Sequence, residues 1–364
     1  MGMGGAYLLG NGDAAASIYN PANIARSSSK GISLSGAART DNLKFSDASN
    51  LVNSIADLGD QADLGGSGFN DVAAVQGSFN DLYNIARDAG ATPNGLSTAR
   101  VRASAAPLLG LSLGHFGVML SSSDFAEAQL ITTGALPGSR AVTTNASVLA
   151  LSTLSVPYGR SIQTGKGRDI GTFGVAAKLT RGDFAAARLL ATEGTNPQTG
   201  VVGDVTGATF GNDNQTAFDL DLGYISPAFP KLYGARAAVV VRNVLSPRFD
   251  FLSPTRVNGV PVASTPFSVR QRPQIDLGLA APQIKLLPLT VAAELHNLTG
   301  ENGGDLSFHL GAEYRLNNRF AFRAGVDDGD IVGGLGVNFG STRLDFAVGA
   351  NLQDRLAIGL NSSF

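Results

Sequence analysis

The chain contains no cysteine. That absence removes disulfides, thiolate metal sites and cysteine nucleophiles together, and it suits a cell envelope without requiring one. Charge is scarce as well: 15% of the 364 residues are Asp, Glu, Lys or Arg, against roughly 25% in an ordinary soluble domain. The formal net charge is −2 and the isoelectric point near 5.9. No basic run and no interleaved aromatic residues are present, so nucleic acid is not a partner. Lysine is scarce beside 21 arginines, accounting for only residues 30, 44, 166, 178, 231 and 285. No apolar run approaches the roughly 18 residues of a transmembrane helix. The start, Met1-Gly2-Met3-Gly4-Gly5, has neither a basic n-region nor an apolar h-region, as expected of an exported chain numbered from near its mature end. Ala6 stands where a myristoylation signal requires Ser or Thr.

What is present is glycine, 46 residues without a collagen period, and an alternation of period two. Phe173, Val175, Ala177 and Leu179 alternate with Gly174, Ala176, Lys178 and Thr180. The same pattern runs through 218–224, 289–296, 306–315, 320–327 and 343–348. Such alternation makes strands with one apolar and one polar face. In a soluble sandwich the apolar faces meet in a core; in a membrane barrel they meet lipid while the polar faces line the lumen. The strands number about 14 to 16, more than a sandwich uses, and their polar faces carry Gly, Ala, Ser and mixed charge. The last strand ends on Phe364, an amphipathic ending that resembles the signal read by the bacterial barrel-assembly machinery. The sequence therefore reads as all-β: a transmembrane antiparallel β-barrel of about 14 strands in the bacterial outer membrane.

Connections alternate between short and long, as the two ends of such a barrel require. Residues 226–233, 281–288, 317–318 and 340–341 fall on the periplasmic side. Residues 193–214, 246–272, 299–304, 327–330 and 351–354 fall outside, together with a helical insertion over 41–100. In that insertion Leu51, Ile55 and Leu58, then Val72, Val75, Phe79, Leu82, Tyr83 and Ile85 recur at helical spacing. Asn70-Asp71 is placed to cap the second helix and Gly90 to end it. Domain organisation is thus 31–364 as barrel and 1–30 as a small-residue segment. This segment suits a plug threaded through a lumen, the alternative being a disordered tail. Gly2-x-Gly4-Gly5 is no phosphate loop, because no strand precedes it and no lysine follows.

Three stretches carry a family resemblance: Gly2-Met3-Gly4-Gly5-Ala6, Gly12-Asp13-Ala14-Ala15 and Asn20-Pro21-Ala22. They resemble the opening of the FadL/TodX superfamily of outer-membrane transporters. Later segments resemble its PorV-like and TraF-like branches: Lys178, Asp221 with Gly223, Arg242-Asn243, Gly311-Ala312-Glu313-Tyr314, and Arg323-Ala324-Gly325. The resemblance implies a 14-stranded barrel with an N-terminal lumenal hatch, in which Gly4, Gly5, Asp13, Asn20 and Pro21 form the gate. It also implies uptake of a small hydrophobic ligand; the PorV-like branch implies instead a non-transporting barrel that anchors or shuttles an envelope or secreted protein partner.

With Phe364 facing lipid, the inward set includes Lys178, Asp219, Asp221, Arg236, Arg242, Asp276, Glu294, His296, His309, Glu313, Arg315, Arg323, Arg343 and Asp345. A selective porin would carry a ring biased to one sign; these charges balance, which reads as a cross-linked lattice around the hatch. Asp13 needs a cationic donor, with Arg236, Arg242, Arg315, Arg323 and Arg343 as candidates, and Asn20 is expected to be held by lumenal charge as well. His296 and His309 with Glu294 and Glu313 form either an acid–base or metal site or, the bland reading, lumenal hydrogen bonds. Asp327-Asp328-Gly329-Asp330 lacks calcium-loop spacing and reads as a hairpin tip. No Ser–His pair is placed for hydrolysis. The reading is a non-enzymatic barrel with no metal and no cofactor.

Overall fold

The computed structural model describes residues 3, 5–9, 15–26, 30–42, 44, 47, 49–51, 53–55, 57, 72–136, 139–165, 167–193, 204–257, 260–282, 287–302, 304–350 and 355–364. A single antiparallel sheet of 17 hydrogen-bonded segments closes on itself. These are β1 (Lys30–Asp41), β2 (Ala99–Ala105), β3 (Leu108–Leu113), β4 (Gly117–Thr133), β5 (Ala141–Gln163), β6 (Asp169–Thr192) and β7 (Asp204–Ile225). They continue with β8 (Arg236–Arg242), β9 (Arg248–Val257), β10 (Val260–Arg270), β11 (Gln274–Ala281), β12 (Leu289–His296) and β13 (Ser307–Arg315). The last are β14 (Phe320–Asp327), β15 (Asp330–Phe339), β16 (Thr342–Gly349) and β17 (Arg355–Ser363). Closure runs from Gly31 opposite Ser363 to Arg39 opposite Arg355.

Three of the wall strands are broken in the middle. β2 and β3 both pair with β1 and β4, and the break between them falls at Ala106-Pro107. β8 and β9 both pair with β7, and β10 and β11 continue the same interruption on the next strand. Pro107, Pro247 and Pro273 lie at the breaks, where a residue without an N–H costs the ladder nothing. Counted as wall strands, the barrel has 14.

One face of each strand is outward and apolar. Leu154, Val156 and Tyr158 on β5, Phe173 and Leu179 on β6, Phe218 and Leu222 on β7, and Phe308, Phe322 and Phe346 further round are all exposed. Only lipid solvates such a band favourably, so this is a transmembrane barrel. Moving a charge into the band tests it. Phe322→Arg is expected to cost about 2–4 kcal/mol in a urea titration in vesicles; no loss would put Phe322 outside the bilayer.

Strands of 8 to 10 residues make up the wall from β11 to β17, about the length a tilted span needs. β5, β6 and β7 run to 23, 24 and 22 residues and stand far beyond the bilayer on the outer side. Their outward face stays apolar there and must be covered. The helix α2 (Val72–Asp88) covers it. Leu51, Phe79, Leu82 and Tyr83 pack on Val101, Ala128, Leu130, Val142 and Leu189. On β4, β5 and β6 these contacts have the parity of the lipid-facing residues Leu120, Leu154 and Leu179, with no slip in pairing between. The helix therefore flanks the outer wall rather than roofing the mouth.

Arg140 pins it, bonding Glu193 and Asn80 with its guanidinium over Phe79 and Tyr83. The Glu193 bond raises the Arg140 pKa above its ordinary value. Gly90, at φ +100, ends the helix in the left-handed region. The strand resumes at Ala99, so the insertion lies between Asp41 and Ala99; Leu58 and Asn70-Asp71 fall outside the described residues.

Candidate functional site

Ordinary barrels of this width fill the lumen with water or with a plug. Here the N-terminal segment lies against the inner wall. It includes α1 (Ala16–Tyr19) and a 3₁₀ turn over Pro21–Arg26, and Ala6, Leu8, Ala16, Asn20, Ala22, Asn23 and Ile24 are buried. The wall makes room with glycine. A Cβ on Gly174 of β6 would sit 2.2 Å from Ala22 N, and one on Gly223 of β7 would sit 2.0 Å from Asn20 Oδ1. On β13 a Cβ at Gly311 would lie 2.3 Å from the Met3 carbonyl oxygen.

Polar contacts tie the segment to the wall at several places, among them the Ser17 hydroxyl, which donates to Met119 Sδ at 3.4 Å. The Leu8 N–H donates to Glu294 Oε1 at 2.7 Å, and Leu8 itself is fully buried against Ile225, Ala238 and Val240. Arg242 holds Asp276 with Nε at 2.7 Å while its two terminal nitrogens donate to the Ile18 and Tyr19 carbonyls at 3.0 and 2.8 Å. Asn20 departs from expectation. Its amide donates to the Leu8 carbonyl and its oxygen accepts from Ala22 N, so backbone of its own segment holds it rather than lumenal charge. Asn23 donates to the same Leu8 carbonyl and to that of Ala16. Pro21 packs on Gly174 and Gly223, and Gly5, at φ +79, lies against His309. Gly4 and Asp13 lie outside the described residues.

The charged residues form separate groups. Glu313 accepts from Arg323 at 2.8 Å, Arg343 at 3.0 Å and Arg315 at 2.8 Å. Asp345 accepts from Arg323 and Arg343, each at 2.8 Å. Between this lattice and Met3, Tyr7 and Leu9 lies a void of about 50 Å³, room for a water or two and not for a ligand. His296 pairs with Glu294 at 2.8 Å and His309 with Asp327 at 2.9 Å. The two imidazoles are 4.3 Å apart. Glu313 is not part of that group; it stands opposite Thr290 and turns to the arginines. Among the described residues no three His, Asp or Glu side chains converge as metal ligands would.

Lys178 lies between Asp219 and Asp221, at 3.0 and 2.7 Å, and donates to Asn243 Oδ1 at 2.9 Å. Both carboxylates also serve the backbone, Asp219 through its other oxygen and Asp221 through the same Oδ1 that meets Lys178. Asp221 accepts the Asn243 N–H and Asp219 the Leu245 N–H, where the chain leaves the ladder after β8. Asp276 does the same for Asn297 N at the end of β12, and both asparagines are left-handed, at φ 54 and 56. Asp221-Leu222-Gly223 with Arg242-Asn243 is therefore matched by Asp276-Leu277-Gly278 with His296-Asn297. The aspartate caps a departing strand and the glycine makes room for the N-terminal segment, at Asn20 in one case and Leu8 in the other. The second copy went unread in the sequence, although its spacing was visible there.

Nearer the outer end of β5 and β6, the lumen is apolar. Phe249 and Phe251 are wholly buried with Leu151 and Phe184. Ring centroids lie 5.5 and 6.3 Å apart along Phe184, Phe251 and Phe249.

Comparisons with known proteins fit this architecture. Residues 17–332 match the family model described as the F plasmid transfer operon TraF protein. The toluene transporter TbuX of Ralstonia pickettii has a similar structure, with a TM-score of 0.53 and 16% identity, covering 100% of this chain and 97% of that one. The toluene transporter TodX of P. putida superposes with a TM-score of 0.52 at 12% identity, covering 100% and 97%. No curated protein matches the chain in sequence. The fold is that of the FadL/TodX barrels.

Proposed function

The chain belongs to the family of the F plasmid transfer operon TraF protein, and from its fold and lumen contacts we propose that it is a non-enzymatic outer-membrane barrel for uptake of small hydrophobic molecules, gated by residues 1–30 as a hatch. The observation that carries this reading is the way the segment is attached. It touches the wall through glycine clearances and through polar anchors that include Glu294 on Leu8, Met119 on Ser17 and Arg242 on α1. None of these contacts is part of the strand ladder, so the segment can shift without unpairing the barrel. TbuX and TodX, with the same fold, are toluene transporters, which supports a neutral apolar cargo.

A second reading has its own observation. Phe184, Phe249 and Phe251 pack together and fill part of the lumen on the outer side of the segment, which favours a barrel that anchors a protein partner without passing solute. Deleting residues 2–20 separates the two. The barrel should still assemble, and in planar bilayers the truncated protein should conduct ions better than the full chain. Equal conductance would mean that the wall's own side chains seal the lumen, and the anchoring reading would replace uptake.

A further inference from the structure

On the outward side of β5 to β8, near the periplasmic end, the barrel surface is not convex. A groove of about 660 Å³ is lined by Tyr158, Phe173, Leu222, Tyr224 and Val239, with Arg160 among them. Tyr158, Phe173, Leu222 and Val239 are exposed and share one face through the pairs Arg160–Phe173, Tyr158–Val175, Phe173–Tyr224 and Tyr224–Val239. This is the lipid face. Its floor includes Gly174 and Gly223, the glycines that receive Ala22 and Asn20 from inside. One layer of backbone separates the groove from the N-terminal segment.

Arg160 stands three residues from the end of β5 on this apolar face, and no carboxylate pairs with it among the described residues. An arginine facing lipid is tolerated close to the headgroups, where its charge meets phosphate. The neighbouring turns are cationic too. Arg168 lies between β5 and β6, and Lys231 between β7 and β8. The one carboxylate on the first of these turns, Asp169, accepts a hydrogen bond from Gly171 N. Tyrosines at this level form the aromatic girdle typical of a barrel rim.

We propose that this groove binds a phospholipid of the periplasmic leaflet, with its phosphate on Arg160 and an acyl chain lying across Leu222 and Val239. An anionic lipid gains most, since Arg160 has no carboxylate partner among the described residues and a phosphatidylglycerol phosphate carries no headgroup cation to offset it.

The chain has no tryptophan, so one introduced residue reports on its own surroundings. Full-length Val239→Trp, in vesicles containing brominated phosphatidylglycerol or brominated phosphatidylcholine, should be quenched with about a fivefold preference for phosphatidylglycerol, the ratio that roughly 1 kcal/mol from one arginine gives. Adding Arg160→Gln should abolish the preference. Phe322→Trp, on the lipid face elsewhere, should show none. Val241→Trp gives the same reading should Val239→Trp fail to assemble. Equal preference at positions 239 and 322, or a preference that survives Arg160→Gln, overturns the proposal. Relief of quenching by toluene, or by crowding more barrel into the vesicle, also overturns it, assigning the groove to a neutral solute or to a second copy.

Discussion

An Arg323→Ala variant is expected to lose about 3–5 kcal/mol, the cost of breaking a buried ion network by removing one partner. Arg323 is the centre of the lattice; its side chain is 3% exposed and joins Glu313 to Asp345. The wall has been shaped for it, because a Cβ on Gly336 would meet its guanidinium at 2.7 Å. Truncation leaves Glu313, also nearly fully buried, to Arg315 and Arg343, and leaves Asp345 to Arg343 alone. Arg315→Ala is the control. It touches the same carboxylate but its side chain is 53% exposed, so water replaces it and the loss should stay below about 1 kcal/mol. Equilibrium urea unfolding of both variants, followed by the heat-modifiable gel shift, measures the difference. Equal small losses would mean that water already reaches the lattice.

Gly174→Val is expected to leave the barrel intact while unseating the N-terminal segment. Valine suits a strand, and the strand pairing of β6 with β5 and β7 does not involve the side chain. The added atoms instead meet Ala22 N, Ala22 Cα and the Pro21 carbonyl carbon at 2.2 to 2.6 Å. These are backbone atoms, which no rotamer change moves aside. Overpacking of this kind costs typically 1–3 kcal/mol, so the open population of residues 15–26 should rise roughly 5- to 150-fold. Limited proteolysis of the assembled protein reads that population, and the gel shift reports the barrel separately. Unchanged cleavage with an intact barrel would show that the segment does not depend on its contact with β6. Loss of the barrel itself would show that the segment is needed for assembly, which the hatch reading does not expect.

Much of the wall was legible because a strand's two faces are written in adjacent residues. Phe308, Phe322 and Phe346 against His309, Arg323 and Asp345 assign inside and outside without reference to any other strand. The parity of the connections followed from the same local signal. The breaks in the wall were harder. Residues 246–272 read as an outer loop, yet they hold β9 and β10, and β9 resumes the path of β8, which only pairing with β7 reveals. The placement of α2 was also hidden. Its apolar stripe says that it must cover something. That it covers the outward face of over-long strands depends on how far β5 and β6 rise above the bilayer.

What the sequence determined by itself was the all-β barrel, its lipid-facing residues and the set of charges pointing inward, since each rests on alternation between neighbouring residues. The tertiary structure decided which of those charges meet. Glu294 was grouped with Glu313 on sequence grounds, but the register sets Glu294 opposite His309 and Glu313 opposite Thr290. One carboxylate is thereby committed to His296 and Leu8, the other to three arginines. The structure likewise gave Asn20 to the Leu8 carbonyl and Arg242 to the end of α1. Partners inside a closed barrel depend on the stagger between strands and on the path of whatever fills the lumen, and neither is a property of neighbouring residues.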